Sequence, residues 1–196
     1  MATRITAQSI FNKYRQDPSI KNKTLNWFQR QVSILQKDRI QPNVLVRGDS
    51  KNRPTSKILP GNLYMFFYDA KLKETLPYYD RFPLVFPYDT TENGFIGLNM
   101  HYLPYQLRVR LLDRLLTYST NRKMDDTTRL KYSWATIRSA SKMALAKPCI
   151  KQYLSNHVQS QLLRIAPENW FTAMMLPVER FTANKNNVWA DSIGII

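Results

Sequence analysis

A chain of 196 residues with 43% hydrophobic and 12% aromatic residues carries enough apolar side chain to order a core, which excludes wholesale disorder. The formal net charge of +15, from 29 Lys and Arg against 14 Asp and Glu, makes the surface attractive to polyanions: nucleic acid first, then acidic protein surfaces and anionic lipid. A single cysteine excludes an intrachain disulfide, no apolar run reaches the roughly 18 residues needed to span a bilayer, and the N-terminus has no signal-peptide core, so the expectation is a soluble chain without a membrane partner, made in a reducing cytoplasm.

The charge is unevenly spread. Residues 1–60 hold twelve Lys and Arg against three acids, 61–120 hold six against six, and 121–196 hold eleven against five. Within the first segment, Thr6 caps a predicted short helix with Ile10, Phe11 and Tyr14, ended by Asp17-Pro18. Thr24 caps a second helix to about Arg39, on which Leu25, Phe28, Val32 and Leu35 recur at three or four residues. These make a basic helical arm over 1–47. The Pro, Ser and Asn content of 48–61 reads as an extended, solvated linker to an α+β domain over 62–192.

That domain opens with the one segment that reads as a compact β unit, 62–103. Leu63–Tyr68, Phe82–Phe86 and Phe95–Met100 predict three short strands of an antiparallel meander, a small sheet or open barrel, with Pro83 and Pro87 confining the middle run to strand ends or an edge. From Pro104 the period changes to that of helices. Leu107, Leu111, Leu112, Leu115 and Leu116 form an apolar face beside Arg108, Arg110 and Arg114. Asp125-Asp126 favour the N-terminus of a longer helix that starts at Thr127 or Thr128 and runs to about Ala146, before Lys147-Pro148. Two further helical pieces, Pro148–Asn156 and Val158–Ile165, complete a helical 104–165. In the 167–192 region Ala173–Leu176 suits an added strand and the tail from Thr182 an exposed strap.

No constellation in the sequence supports catalysis, a metal or a cofactor. Cys149, His101 and His157 share no zinc-type spacing, and Cys149 reads as a buried inert thiol rather than the partner of His157. Asp80 is the one candidate for a metal-dependent nuclease, but such sites need converging acids; a turn aspartate bound to backbone or Arg81 explains it better. His101 reads as a half-buried, satisfied imidazole. The many aromatics between Tyr64 and Tyr102 have the chemistry of base-stacking platforms, yet strand alternation and the zero net charge of their segment favour core packing. Phosphate contacts therefore fall to the flanks: Lys13, Arg15, Lys21, Lys23, Arg30, Lys37, Arg39, Arg47, Lys51, Arg53 and Lys57, then Lys131, Arg138 and Lys142, the last three expected on one helix face.

The blocks Leu63-Tyr-Met-Phe-Phe-Tyr-Asp69, Leu76-Pro-Tyr-Tyr-Asp-Arg-Phe-Pro-Leu-Val85, Gly94-Phe-Ile-Gly-Leu-Asn-Met-His-Tyr-Leu-Pro104, Lys147-Pro-Cys-Ile-Lys-Gln-Tyr-Leu154 and Leu176-Pro-Val-Glu-Arg-Phe181 resemble a family of small virion proteins of T4-like contractile-tailed bacteriophages, that of the DNA end protector or DNA terminal proteins. The resemblance covers about 60–192, with Leu-Pro-Tyr-Tyr-Asp-Arg-Phe-Pro its most distinctive part. It implies a non-enzymatic virion component, assembled in the host cytoplasm, that binds and shields a double-stranded DNA end at the head-tail region, against portal, neck or tail proteins in a symmetric assembly. It assigns a role to no individual residue. The competing expectation is a tail or baseplate subunit whose basic flanks meet acidic neighbours.

Overall fold

The computed structural model describes residues 52–119 and 123–196. The arm expected over 1–47 and the first part of the linker lie outside the described residues. The rest is an α+β fold whose strands are β1 (Arg53–Thr55), β2 (Leu63–Met65), β3 (Leu84–Thr91), β4 (Gly94–Asn99), β5 (Ile150–Leu154) and β6 (Leu162–Ile165). They form one open antiparallel sheet in the order β1-β6-β2-β3-β4-β5.

The predicted meander stands at the centre of this sheet as β2, β3 and β4. Consecutive residues of Leu63–Phe66 are all buried because the sheet is covered on both faces. Leu63, Met65, Leu84, Phe86 and Leu98 belong to the larger core under the helices; Tyr64, Phe66, Val85, Phe95, Tyr153 and Leu162 form a second cluster, closed by Tyr68 and Ala70. The aromatics of this region are thus mainly core, as expected, and more of them are buried than alternation with one covered face would give. Pro87 lies inside β3, not at an end. It is tolerated there because β2 pairs only with Leu84 and Val85, and a bulge between Pro87 and Asp89 follows at once.

The helices are α1 (Tyr105–Ser119), α2 (Asp126–Ala140), α3 (Trp170–Met175) and α4 (Lys185–Ile195). Leu111, Leu112 and Leu115 of α1 are buried in the larger core. Asp125 caps α2 by accepting from the Thr128 N–H at 2.9 Å. Trp134 Nε1 donates to Tyr88 O at 2.9 Å and fastens α2 to the bulge of β3.

Four local expectations are corrected. The second half of the linker contains β1, because Arg53–Thr55 pairs with Leu162–Arg164. Helix α2 stops at Ala140, and a separate 3-10 segment, Ala144–Cys149, takes in Pro148. The stretches expected as helices over Pro148–Asn156 and Val158–Ile165 supply β5 and β6: Ile150, Gln152 and Leu154 alternate with Lys151 and Tyr153, and pairing to β4 and β2 overrides a weak local preference. A Cβ at Gly94 would lie 1.9 Å from Tyr153 O, so the β4-β5 pair needs glycine there. Finally, Ala173–Leu176 is mostly α3, and the tail after the 177–183 strap coils into α4, with Val188 and Trp189 buried.

A buried polar knot joins these parts. Asp80, expected to bond backbone or Arg81, accepts from the backbone N–H groups of Phe82 (3.0 Å) and Arg180 (3.1 Å), from Asn99 Nδ2 (3.1 Å), and pairs with His101 Nδ1 at 2.7 Å; Arg81 itself is exposed. His101 is fully rather than half buried, and its Nε2 has no partner among the described residues. Arg108, 0% exposed, donates to the carbonyls of Leu103 (2.7 Å), Met174 (2.8 Å) and His101 (3.1 Å), with Glu179 at 3.9 Å. Burial alone raises the pKa of Asp80 and of Glu179. The attraction of His101 with the surrounding donors outweighs burial at Asp80, and that of Arg108, His101 and Lys185 at Glu179, so both carboxyls are held below their ordinary range.

Removing one partner of a buried ion pair leaves the other uncompensated. Arg108→Met is expected to cost about 3–5 kcal/mol in urea unfolding, and adding Glu179→Leu to recover part of it; the Leu103 and Met174 carbonyls still lack the Arg108 donors in the double variant, while the His101 carbonyl keeps its bond from Trp189. Both carboxyls are depressed in the folded state, so their contribution is complete above about pH 4.3, the ordinary Glu value, and is lost as pH falls through the folded values. Unfolding free energy is accordingly expected to fall on acidification below that range, with a shallower acid limb in Asp80→Asn.

Candidate nucleic-acid interface

Lys and Arg side chains on a folded surface either pair with carboxylates, lie on aromatic rings, or remain available to an external anion. Among the described residues, Lys73 pairs with Asp69, Arg129 with Asp126, and Lys185 with Glu179. Arg138 lies over the Trp134 ring at 5.2 Å, and Arg180 over Phe67 and Phe82 at 5.6 and 5.7 Å. No carboxylate among the described residues pairs with Arg53, Lys57, Lys131, Arg138 or Lys142, and all five are exposed. The other nine expected contacts, Lys13, Arg15, Lys21, Lys23, Arg30, Lys37, Arg39, Arg47 and Lys51, lie outside the described residues.

The fold brings part of this set together. Lys57 sits in the β1-β2 connection, which ends at Gly61. This glycine has φ of 97°, a backbone region open to it without strain, and a Cβ there would come 2.7 Å from Leu130 O and 3.0 Å from Trp134 N. The connection therefore lies directly on α2, beside the turn that carries Lys131. Lys131 and Arg138 are two helical turns apart on the exposed side of α2. Lys142 departs from the expected common face: it follows the Ser141 cap and no longer obeys the helical period.

Arg164 was not among the expected contacts. In the sheet it stands directly opposite Arg53 on one side and Tyr64 on the other. Two like charges facing each other across an antiparallel pair repel, and no carboxylate among the described residues neutralises them. An anion at that edge would relieve the repulsion. The signal for it in the sequence was Leu-Leu-Arg-Ile, a strand pattern hidden by reading 158–165 as a helix.

The residues weighed for catalysis are occupied otherwise. Asp80 and His101 hold each other in the core, and the Cys149 thiol is buried, with its pKa pushed up to about 12 by that burial. The Nδ1 of His157 bonds to Asp69 O at 2.9 Å. No group of three or more His, Cys, Asp or Glu placed to hold a metal occurs among the described residues. No helix among them is long and apolar enough to cross a membrane.

Comparison with curated proteins and with solved structures returns no match. A family model does match, over residues 4–193, nearly the whole chain, and its description agrees with the end-protector resemblance read from the central blocks. The chain belongs to the family of the phage T4 terminal DNA protecting protein.

Proposed function

We propose that the chain is a non-enzymatic virion component that binds the end of the packaged double-stranded DNA at the head-tail region and shields it, through phosphate contacts made by Lys and Arg. The observation that carries this reading is the set of exposed cations without carboxylate partners among the described residues, Arg53, Lys57, Lys131, Arg138 and Lys142, in a chain of net charge +15 whose family is one of DNA protection. The basic residues between Lys13 and Lys51 extend the same contact. Binding releases condensed counterions and reads no bases.

The setting at the head-tail region requires protein neighbours as well, of portal, neck or tail type, in a symmetric assembly. The exposed Ile193, Ile195 and Ile196 at the end of α4 offer apolar surface for such a neighbour. In the competing reading, a tail or baseplate subunit, the same cations meet acidic protein instead. The two readings differ in what salt and DNA ends do.

With a purified chain and a fluorescent blunt duplex, log affinity is expected to fall linearly with log salt concentration. Each of Lys57→Gln, Lys131→Gln and Arg138→Gln should reduce the slope by about 1. Stability should change by less than about 1 kcal/mol in each, since these are surface exchanges. A slope near zero, or unaltered in all three variants, would rule out phosphate contacts by these residues. Linear duplex mixed with the chain is further expected to resist an exonuclease that degrades it when bare; equal degradation rates with and without the chain would contradict shielding.

A further inference from the structure

Contacts to internal phosphodiesters cannot distinguish the end of a duplex from its interior, since both offer the same linkage. Besides a terminal phosphate or hydroxyl and the open face of its last pair, an end presents a terminal nucleotide that can leave the stack at low cost. Resting on the DNA-end reading above, we propose that the cleft between the 70–79 loop and the edge strand β5 binds one unstacked nucleotide at the terminus of a DNA strand.

The cleft encloses about 310 Å³, the small end of the range for pockets that bury a ligand, and such a volume admits one nucleotide rather than a base pair. Its wall is unusually aromatic: Tyr78 and Tyr79, both half-buried, stand over a floor that includes Tyr102 and Tyr153. Stacking on tyrosine is indifferent to base identity, as an end protector requires. The floor also carries Lys151, whose Nζ lies 4.1 Å from the centre of the Tyr102 ring. No carboxylate among the described residues pairs with this lysine, and burial lowers its pKa. A desolvated ammonium without a counter-charge gains most from an arriving phosphate. Asp80 reaches the same floor but is committed to His101, Asn99 and two backbone N–H groups, and Asp69, which accepts from Tyr79, is held by Lys73 at 2.8 Å.

The test uses the full chain and three fluorescent duplexes of one sequence: one with two unpaired terminal nucleotides, one blunt, and one closed by hairpins at both ends. The overhang is expected to bind more tightly than the blunt duplex by about fivefold or more, the lower bound for stacking one base. Lys151→Met should abolish that preference and leave affinity for the closed duplex within about twofold. Leu76→Glu, at a rim position 42% exposed, brings a carboxylate to the mouth without touching the core and should do the same. Equal affinities for overhang and blunt ends, or a preference that survives both variants, would overturn the nucleotide site. Salt-dependent binding of the closed duplex would in that case leave the phosphate reading standing, whereas failure to bind any of the three would sink both. A photo-crosslinker at Leu72, 60% exposed on the rim, should capture DNA in the assembled particle; capture of a protein neighbour there instead overturns the proposal.

Discussion

The guanidinium of Arg108 is the interaction on which the rest of the structure depends. Its donors reach carbonyls from the turn before α1 and from α3, and its charge faces Glu179 of the strap. The His101 carbonyl it binds also accepts from Trp189 of α4 at 2.9 Å, and the His101 ring holds Asp80. One buried charge thus ties together segments from residue 80 to residue 189. A purely apolar core of the same volume would pack these elements with comparable stability, but it would fix their mutual register less sharply, because a misplaced carbonyl leaves Arg108 unsatisfied at a cost that a misplaced methyl does not incur.

This arrangement divides the charges of the chain into two populations. Some cations and acids neutralise each other, in the interior as with Arg108, Lys185 and Glu179, or on the surface as with Lys73 and Asp69. Lys131 and Arg138 of α2, and Arg53 and Arg164 at the β1 edge, have no carboxylate partners among the described residues. Folding therefore gains little from the second population and bears its mutual repulsion, clearest where Arg53 faces Arg164. Charge that destabilises the isolated molecule is useful only when something else neutralises it, and in a DNA protecting family the polymer to do so is at hand.

Much of the fold was legible because it follows local rules. Consecutive aromatic and aliphatic residues marked the central meander, Asp125 marked the start of α2, and the isolated Cys149 marked a core position. What stayed hidden was decided by partners distant in sequence. Ile150–Leu154 and Leu162–Ile165 are strands because β4 and β2 wait for them, a fact absent from either stretch taken alone. Arg108 did leave a sign: it stands three, four and seven residues before Leu111, Leu112 and Leu115, on the apolar stripe itself rather than beside it. An arginine on such a stripe needs buried acceptors, and the acceptors come from residues 101, 103 and 174. Of the proposed phosphate contacts, those on α2 followed from charge and period, whereas Arg164 required the strand register.

The two tasks proposed for the basic surface and the aromatic cleft are separable, and their separation has a physical reason. Long-range attraction works best where cations are exposed and numerous, because each released counterion adds to affinity. Stacking and phosphate capture work best where water is excluded, because the same lysine interacts more strongly in a low-dielectric wall than in solvent. Side chains cannot meet both demands at one place: burying the surface cations would forfeit the field that draws DNA in, and exposing Lys151 would forfeit its strength. The open sheet resolves the conflict by geometry. Its β1 edge and the helix α2, which is fastened to β3, carry exposed charges, while the β5 edge carries the half-buried Lys151 among the tyrosines, so that each set lies where its own physics is strongest.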